Sequence, residues 1–233
     1  MKVPDTKDVL SLIMSYPDAK ETFDYARKSC YGPTYLVGGK VYRTLIEMMT
    51  GRDVNAQAAD WDFLCMGKIK VKAPKRGWAM TGSLYGYGKR SRNIRRVQPI
   101  SRSLQGKIAS KIDLVSMADV MAKVGFPNSQ YVSDYLRAVP LDIQAIGLDF
   151  ESQQPQIHGS KAIEAIRCGR IAVNNPDGKI LAVPMHQYIN DKAISIGFTA
   201  AGLTSIVKVP CNCFPGDSKT LWQKGCQAPG LHN

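Results

Sequence analysis

The chain has 233 residues, 44% of them hydrophobic, and a formal net charge of +12. That length and apolar content fit one large or two small folded domains, and they exclude a disordered polar polymer. No apolar run approaches the roughly eighteen residues of a membrane span, and the opening MKVPDTKDVL has charges where a secretory leader has its apolar core. The 6 cysteines are spread too thinly to suggest a disulfide framework, so a reducing cytoplasm is the expected setting.

Residues 6–30 read as helical. Val9, Leu10, Leu12 and Ile13 give an apolar face, Thr6 is a fitting N-cap, and Pro17-Asp18 breaks the run before a second helix from Ala19 to about Ser29. Tyr31-Gly32-Pro33 is a turn into a strand at 34–37, which stops at the pair Gly38-Gly39. A helix follows over 40–50, with Val41, Leu45, Ile46, Met48 and Met49 on its apolar face. A loop then delivers Asp60-Trp61-Asp62 at the head of Phe63-Leu64-Cys65. Residues two apart on a strand share a face, so the two aspartates present their carboxylates together. Such a pair repels unless a cation lies between, and hard oxygen ligands suit Mg²⁺. The glycine pair lets backbone approach a bulky group, and N–H groups at a helix start favour phosphate.

The charge is uneven. From Phe63 to Ile112 there is no Asp or Glu, but there are 13 Lys and Arg, while the rest of the chain is close to neutral. A basic stretch by itself is usually a solvated face. One that holds the whole imbalance and adjoins a carboxylate pair is better read as a polyanion surface. Within it, 67–73 alternate like a short strand, and an irregular part follows with Trp78, Tyr85, Tyr87, Lys89, Arg90, Arg92, Arg95 and Arg96. Arginines contact phosphates and tyrosines stack on unpaired bases, so RNA is the expected partner of these residues.

Lys111–Ser116 is the next strand, and Asp113 within it is costly to bury unless paired or metal-bound. Asp119, at an apparent helix start, competes for the same role. Beyond Arg170, short apolar runs alternate with turns, and 194–209 has helical character. Cys211, Cys213, Cys226 and His232 lack the paired C-x₂-C knuckles of a structural zinc site and read as incidental. The 3 histidines form no ligand pattern, so histidine-based catalysis is not expected.

A strand ending in GG, then a helix, then a strand with D-x-D resembles the DNA polymerase β superfamily of nucleotidyltransferases. Within it the likeness is to the head domain of bacterial-type tRNA nucleotidyltransferases (CCA-adding enzymes) and bacterial poly(A) polymerases. The family's G-G-x-V-R-D stands here as Gly38-Gly39-Lys40-Val41-Tyr42-Arg43, out of register at the arginine. Its R-R-D-F-T-I-N-A-x-x-Y-D block is similar to residues 137–149, with Ile143-Gln144-Ala145 for I-N-A and Leu148-Asp149 at the close, but Ala138-Val139-Pro140 replace the R-R-D. The likeness covers roughly 34–173, and the base-selecting E-D-x-x-R does not appear.

The resemblance implies an α/β (α+β) fold of the polymerase β-like type: a small mixed, mainly antiparallel sheet backed by helices, with a mostly helical second part. It implies a core at 1–115 carrying the basic insert at about 67–107, then a helical, neck-like part at 116–233. The implied chemistry is transfer of a nucleoside monophosphate from an NTP, ATP by default, to an acceptor hydroxyl. Two Mg²⁺ ions would sit on Asp60, Asp62 and Asp113. Gly38, Gly39, Lys40, Arg43, Arg137, Asp142 and Gln144 become the nucleotide contacts, and the segment 63–112 the binder of an RNA end. Other readings stay open: a catalytically degenerate RNA- or DNA-binding module, transfer to a protein or small molecule, or a sugar-nucleotide site built on the D-x-D.

Overall fold

The computed structural model describes residues 2–69, 112–117, 121, 129–176 and 184–201 in full, and 78–80 and 94–99 by their backbone. All of them fall in one compact unit, Met1–Gly202. Helix α1 (Thr6–Ser15) is capped by Asp5, whose side chain accepts from the Lys7 N–H at 2.7 Å, one residue before the expected Thr6. Asp18 adopts φ 64° between α1 and α2 (Ala19–Ser29), which makes the break expected at Pro17-Asp18. Strand β1 (Thr34–Val37) leads through Gly38 into α3 (Gly39–Thr50), and Gly51 at φ 69° ends that helix. These elements match the apolar periodicity, because each buries the face that its pattern marks: Val9 and Ile13, Phe23 and Ala26, then Val41, Leu45 and Ile46.

Strands β2 (Trp61–Cys65), β3 (Trp78–Met80), β4 (Ile94–Pro99), β5 (Ile112–Ser116), β6 (Gly147–Asp149) and β7 (Gln156–His158) join β1 in one sheet. Among the described residues its order is β3-β4-β5-β2-β1-β6-β7. Every neighbouring pair is antiparallel except β2 with β5. The mixed, mainly antiparallel α/β sheet is therefore as expected. The boundary at 115/116 is not a break in it, since β6 and β7 extend the same sheet through β1.

Helices cover both faces, not one. On the first face Phe23 of α2 packs edge-on against Trp61, Phe63 and Phe150, with centroids 5.8, 5.5 and 4.4 Å away. On the second, Val37, Leu64 and Val115 pack with Val132 and Leu136 of α4 (Val132–Ala138). Gly147 of β6 borders the same cluster, since a Cβ on it would lie in ordinary contact with Val37, Val132 and Leu136.

Three departures from expectation stand beside this topology. Cys30, just after α2, and Cys65, ending β2, form a disulfide across a sequence separation of 35, which nothing in their spacing signalled. After α5 (Ser160–Cys168), the short strand β8 (Arg170–Ile171) pairs in parallel with β9 (Thr199–Ala200), and α6 (Met185–Ile196) lies between them in sequence. Of the helix expected at 194–209, residues 194–196 end α6, Gly197 at φ 64° closes it, and 202–209 lie outside the described residues. Ile69 makes only an isolated bridge to Cys30, and 70–73 of the strand expected there lie outside the described residues. No helix among the described residues is long and apolar enough to cross a membrane.

Candidate active site

Strand pairing sets one lateral row across the sheet. Asp113 is opposite Asp62, Asp62 opposite Val37, Val37 opposite Gly147, and Arg96 of β4 is the register partner of Asp113 on the other side. Opposed residues share a face, so the Asp62 and Asp113 carboxylates rise from neighbouring parallel strands on the side where Leu64 meets α4. Asp113 is buried and Asp62 partly so. Gly38 takes φ 71° and ψ −142°, and a Cβ placed on it would stand 2.8 Å from Asp62 Oδ2. The glycine is therefore the floor on which the Asp62 carboxylate rests, next to the start of α3.

Asp60 shares the Asp62 parity but stands one residue before β2 and is exposed. Among the described residues, no group of three or more His, Cys, Asp or Glu is gathered closely enough to hold a metal ion. Asp62 and Asp113 nonetheless fit the demands of Mg²⁺, which takes oxygen ligands and is commonly held by one or two carboxylates with water completing its shell.

Two residues expected at phosphates are occupied elsewhere. Lys40 is fully buried, and its ammonium donates to the carbonyls of Ala56 at 3.2 Å and Gln57 at 2.8 Å. The same Nζ lies 4.3 Å from the centre of the Trp61 ring and 5.4 Å from that of Tyr16. Arg43 donates to the Val54 carbonyl and, at 3.2 Å, to Ser195 Oγ. Burial holds the Lys40 pKa down at about 8, against Asp60, Asp62 and Glu47, which favour its charge. Between that value and the ordinary 10.5 the unfolded chain keeps a proton the folded one has lost, so the Lys40 contribution to stability rises with pH in this window. Urea unfolding of wild type and Lys40→Met from pH 7.5 to 10 should show wild type gaining on the variant by up to ~1.4 kcal/mol per pH unit. Parallel curves would show that burial does not depress this lysine.

The 137–149 block divides. Arg137 is largely exposed and paired with Asp134. The Asp142 carboxylate accepts from its neighbour Ile143 N–H at 2.7 Å and from Ala172 N–H at 3.0 Å, while burial raises its pKa. Both side chains are thus engaged in local structure. Gln144 donates from Nε2 to the Tyr188 hydroxyl at 2.6 Å, and its buried Oε1 has no hydrogen-bond partner among the described residues.

Tyr188 leads to residues that sequence reasoning passed over. It and Lys192 lie one turn apart on α6, with the ammonium 5.8 Å from the ring centre. Burial pulls the Lys192 pKa down, but Tyr42, Tyr188 and Asp62 outweigh it, and the net shift is upward. A cation is therefore held in the field of Asp62, supplied by a helix far along the chain. The i, i+4 spacing of Tyr188 and Lys192 was the available signal, and no motif marked it.

Of the expected RNA contacts, Lys89, Arg90 and Arg92 lie outside the described residues, as do Asp119 and the cysteines of the C-terminal segment. Arg95 and Arg96 fall on β4, opposite Leu114 and Asp113.

No protein-family model and no curated protein sequence matches the chain. In structure it is similar to a tRNA-processing enzyme in its apo form, at 15% identity and a TM-score of 0.47 over 87% of this chain and 45% of that one. It is similar also to the Bacillus stearothermophilus CCA-adding enzyme in complex with CTP, at 18% identity and a TM-score of 0.42 over 72% and 36%. A third is the Thermotoga maritima CCA-adding enzyme complexed with tRNA, at 15% identity and 0.41 over 75% and 37%. The chain spans less than half the length of each of these structures.

Proposed function

We propose that this chain transfers a nucleoside monophosphate from an NTP to an acceptor hydroxyl, with an RNA end as acceptor. The observation that carries the reading is the register of Asp62 with Asp113 beside the Gly38 turn. Asp62 and Asp113, with Asp60 joining from its loop, are the residues to hold Mg²⁺. When bound, magnesium lowers the pKa of the acceptor hydroxyl and offsets charge on the triphosphate and the leaving pyrophosphate. The N–H groups at the start of α3 face the phosphates, as helix N-termini do. Lys192 adds a cation whose charge Asp62 favours, and Gln144 has an acceptor left for a ribose hydroxyl or base edge. The hydroxyl oxygen attacks the α-phosphorus in line as pyrophosphate departs. ATP remains the default donor.

The test is incubation with Mg²⁺ and each labelled NTP, with and without bulk tRNA. Label in RNA supports the reading, whereas label in protein or a small molecule redirects the acceptor. No transfer under any condition, with Mg²⁺ binding unchanged by Asp62→Ala, sinks it.

A binding module is the second reading, favoured by the commitment of Lys40 and Arg43 to backbone carbonyls and not to open solvent. The basic segment serves either reading, and Arg92, Arg95 and Arg96 are its proposed phosphate contacts. Replacing all three with Ala should weaken RNA binding by roughly tenfold or more near 0.1 M salt and flatten its salt dependence, since each phosphate contact releases condensed counterions. An unchanged affinity and slope would remove RNA from this segment.

A further inference from the structure

One face of α3 is turned to the loop that carries the first aspartate. Lys40, Arg43 and Glu47 lie at i, i+3 and i+7 on that helix. Lys40 donates to the carbonyls of Ala56 and Gln57, Arg43 donates to that of Val54, and Glu47 Oε1 accepts from the N–H groups of Val54 at 3.2 Å and Ala56 at 2.8 Å. The short 3₁₀ turn Ala56–Ala58 follows, and two residues later comes Asp60. Of the three side chains Lys40 alone is fully buried, against the ring of Trp61, the residue between Asp60 and Asp62 in sequence.

We propose that Lys40 is a positioning residue, an internal ammonium that fixes the loop 54–60 and the Trp61 ring so that Asp60 and Asp62 hold a constant spacing. An apolar residue of the same length would fill the space without cost to packing. A buried charge is costly unless hydrogen bonds and cation–π faces offset it, and here both carbonyls and the nearer ring, Trp61, belong to the segment that delivers the aspartates, while the Tyr16 ring lies farther off at 5.4 Å. Lys40 differs in this from a phosphate contact, for which its ammonium would have to leave both carbonyls. The proposal rests on the nucleotidyltransferase reading for its catalytic consequence, but the clamp itself does not.

Lys40→Met keeps the apolar stem and removes the donors. The expected result is a folded variant in which amide exchange of residues 57–60 accelerates about tenfold or more while that of β5 is unchanged, because only the loop loses its anchor. With it kcat for transfer falls, up to about a hundredfold for a displacement of an ångström, while KM for the NTP stays within about twofold. A raised KM with kcat retained would assign Lys40 to the phosphates and overturn the proposal, as would unchanged exchange in 57–60. Should Lys40→Met fail to fold, ¹⁵N spectra of the wild-type lysine decide. A slowly exchanging Lys40 ammonium that is unmoved by Mg-ATP supports the clamp, and one that exchanges like surface lysines or shifts with Mg-ATP overturns it. Absence of transfer in the wild type would defeat the nucleotidyltransferase reading alone, leaving the exchange and ¹⁵N results to judge the clamp.

Discussion

Asp62→Ala should reduce nucleotide transfer at least about 10³-fold, equivalent to ~4 kcal/mol of lost transition-state stabilisation, with the fold retained. Asp62 lies at the centre of the sheet, in register with Asp113 and resting on Gly38, so no neighbouring carboxylate can take its place without moving a strand. Asp113→Ala should act alike for transfer and, being buried, should alter stability as well. Asp60→Ala should be milder, because Asp60 is exposed and outside the strand. The ranking Asp62 and Asp113 well above Asp60, measured as kcat and as Mg²⁺ affinity by calorimetry, checks the arrangement. Equal loss from all three would mean that the loop closes onto the site, and a negligible effect of Asp62→Ala would remove the site altogether.

Gly38→Ala carries the second large effect. At φ 71° a side chain costs about 1–3 kcal/mol in backbone strain, and the added methyl would stand 2.8 Å from Asp62 Oδ2, far inside contact distance. The carboxylate must swing away, so transfer should fall by about a hundredfold even if the protein remains folded. Gly39→Ala is the control. Its Cβ would meet Ala59 Cβ at 3.6 Å and the Tyr42 hydroxyl at 3.9 Å, both ordinary contacts, on a helical backbone. Activity should be near that of wild type. If the two alanine variants behave alike, the tight approach of Gly38 to Asp62 has no bearing on function.

The segment from Thr34 to Cys65 was legible in the sequence because its signals are local: a short apolar run, a glycine pair, a helical period and an alternating D-x-D. Asp113 was legible for a related reason, as an acid inside an apolar strand. Lys40 was not, since lysine is ordinarily a surface residue and nothing local says that two carbonyls and two aromatic rings await it. Tyr188 and Lys192 were missed because their importance depends on where α6 lies against the sheet, a matter of long-range packing. The pairing of β6 with β1, which carries the sheet past residue 115, is equally non-local. Helix α6 stops at Ile196 because of Gly197, a stop signal present in the sequence and passed over there for the apolar run beyond it.

The parallel pairing of β2 with β5 separates two properties that could have been tied together. Its partners are fixed at both ends by the sheet, while everything between Cys65 and Ile112 leaves from one strand and returns to the other. The entropy of closing such a connection grows only with the logarithm of its length. Outside β3 and β4, which join the sheet themselves, that connection can thus lengthen, shorten or change sequence without altering the register of Asp62 with Asp113. Under the proposed function, change in the acceptor-binding segment is thereby uncoupled from change at the carboxylates.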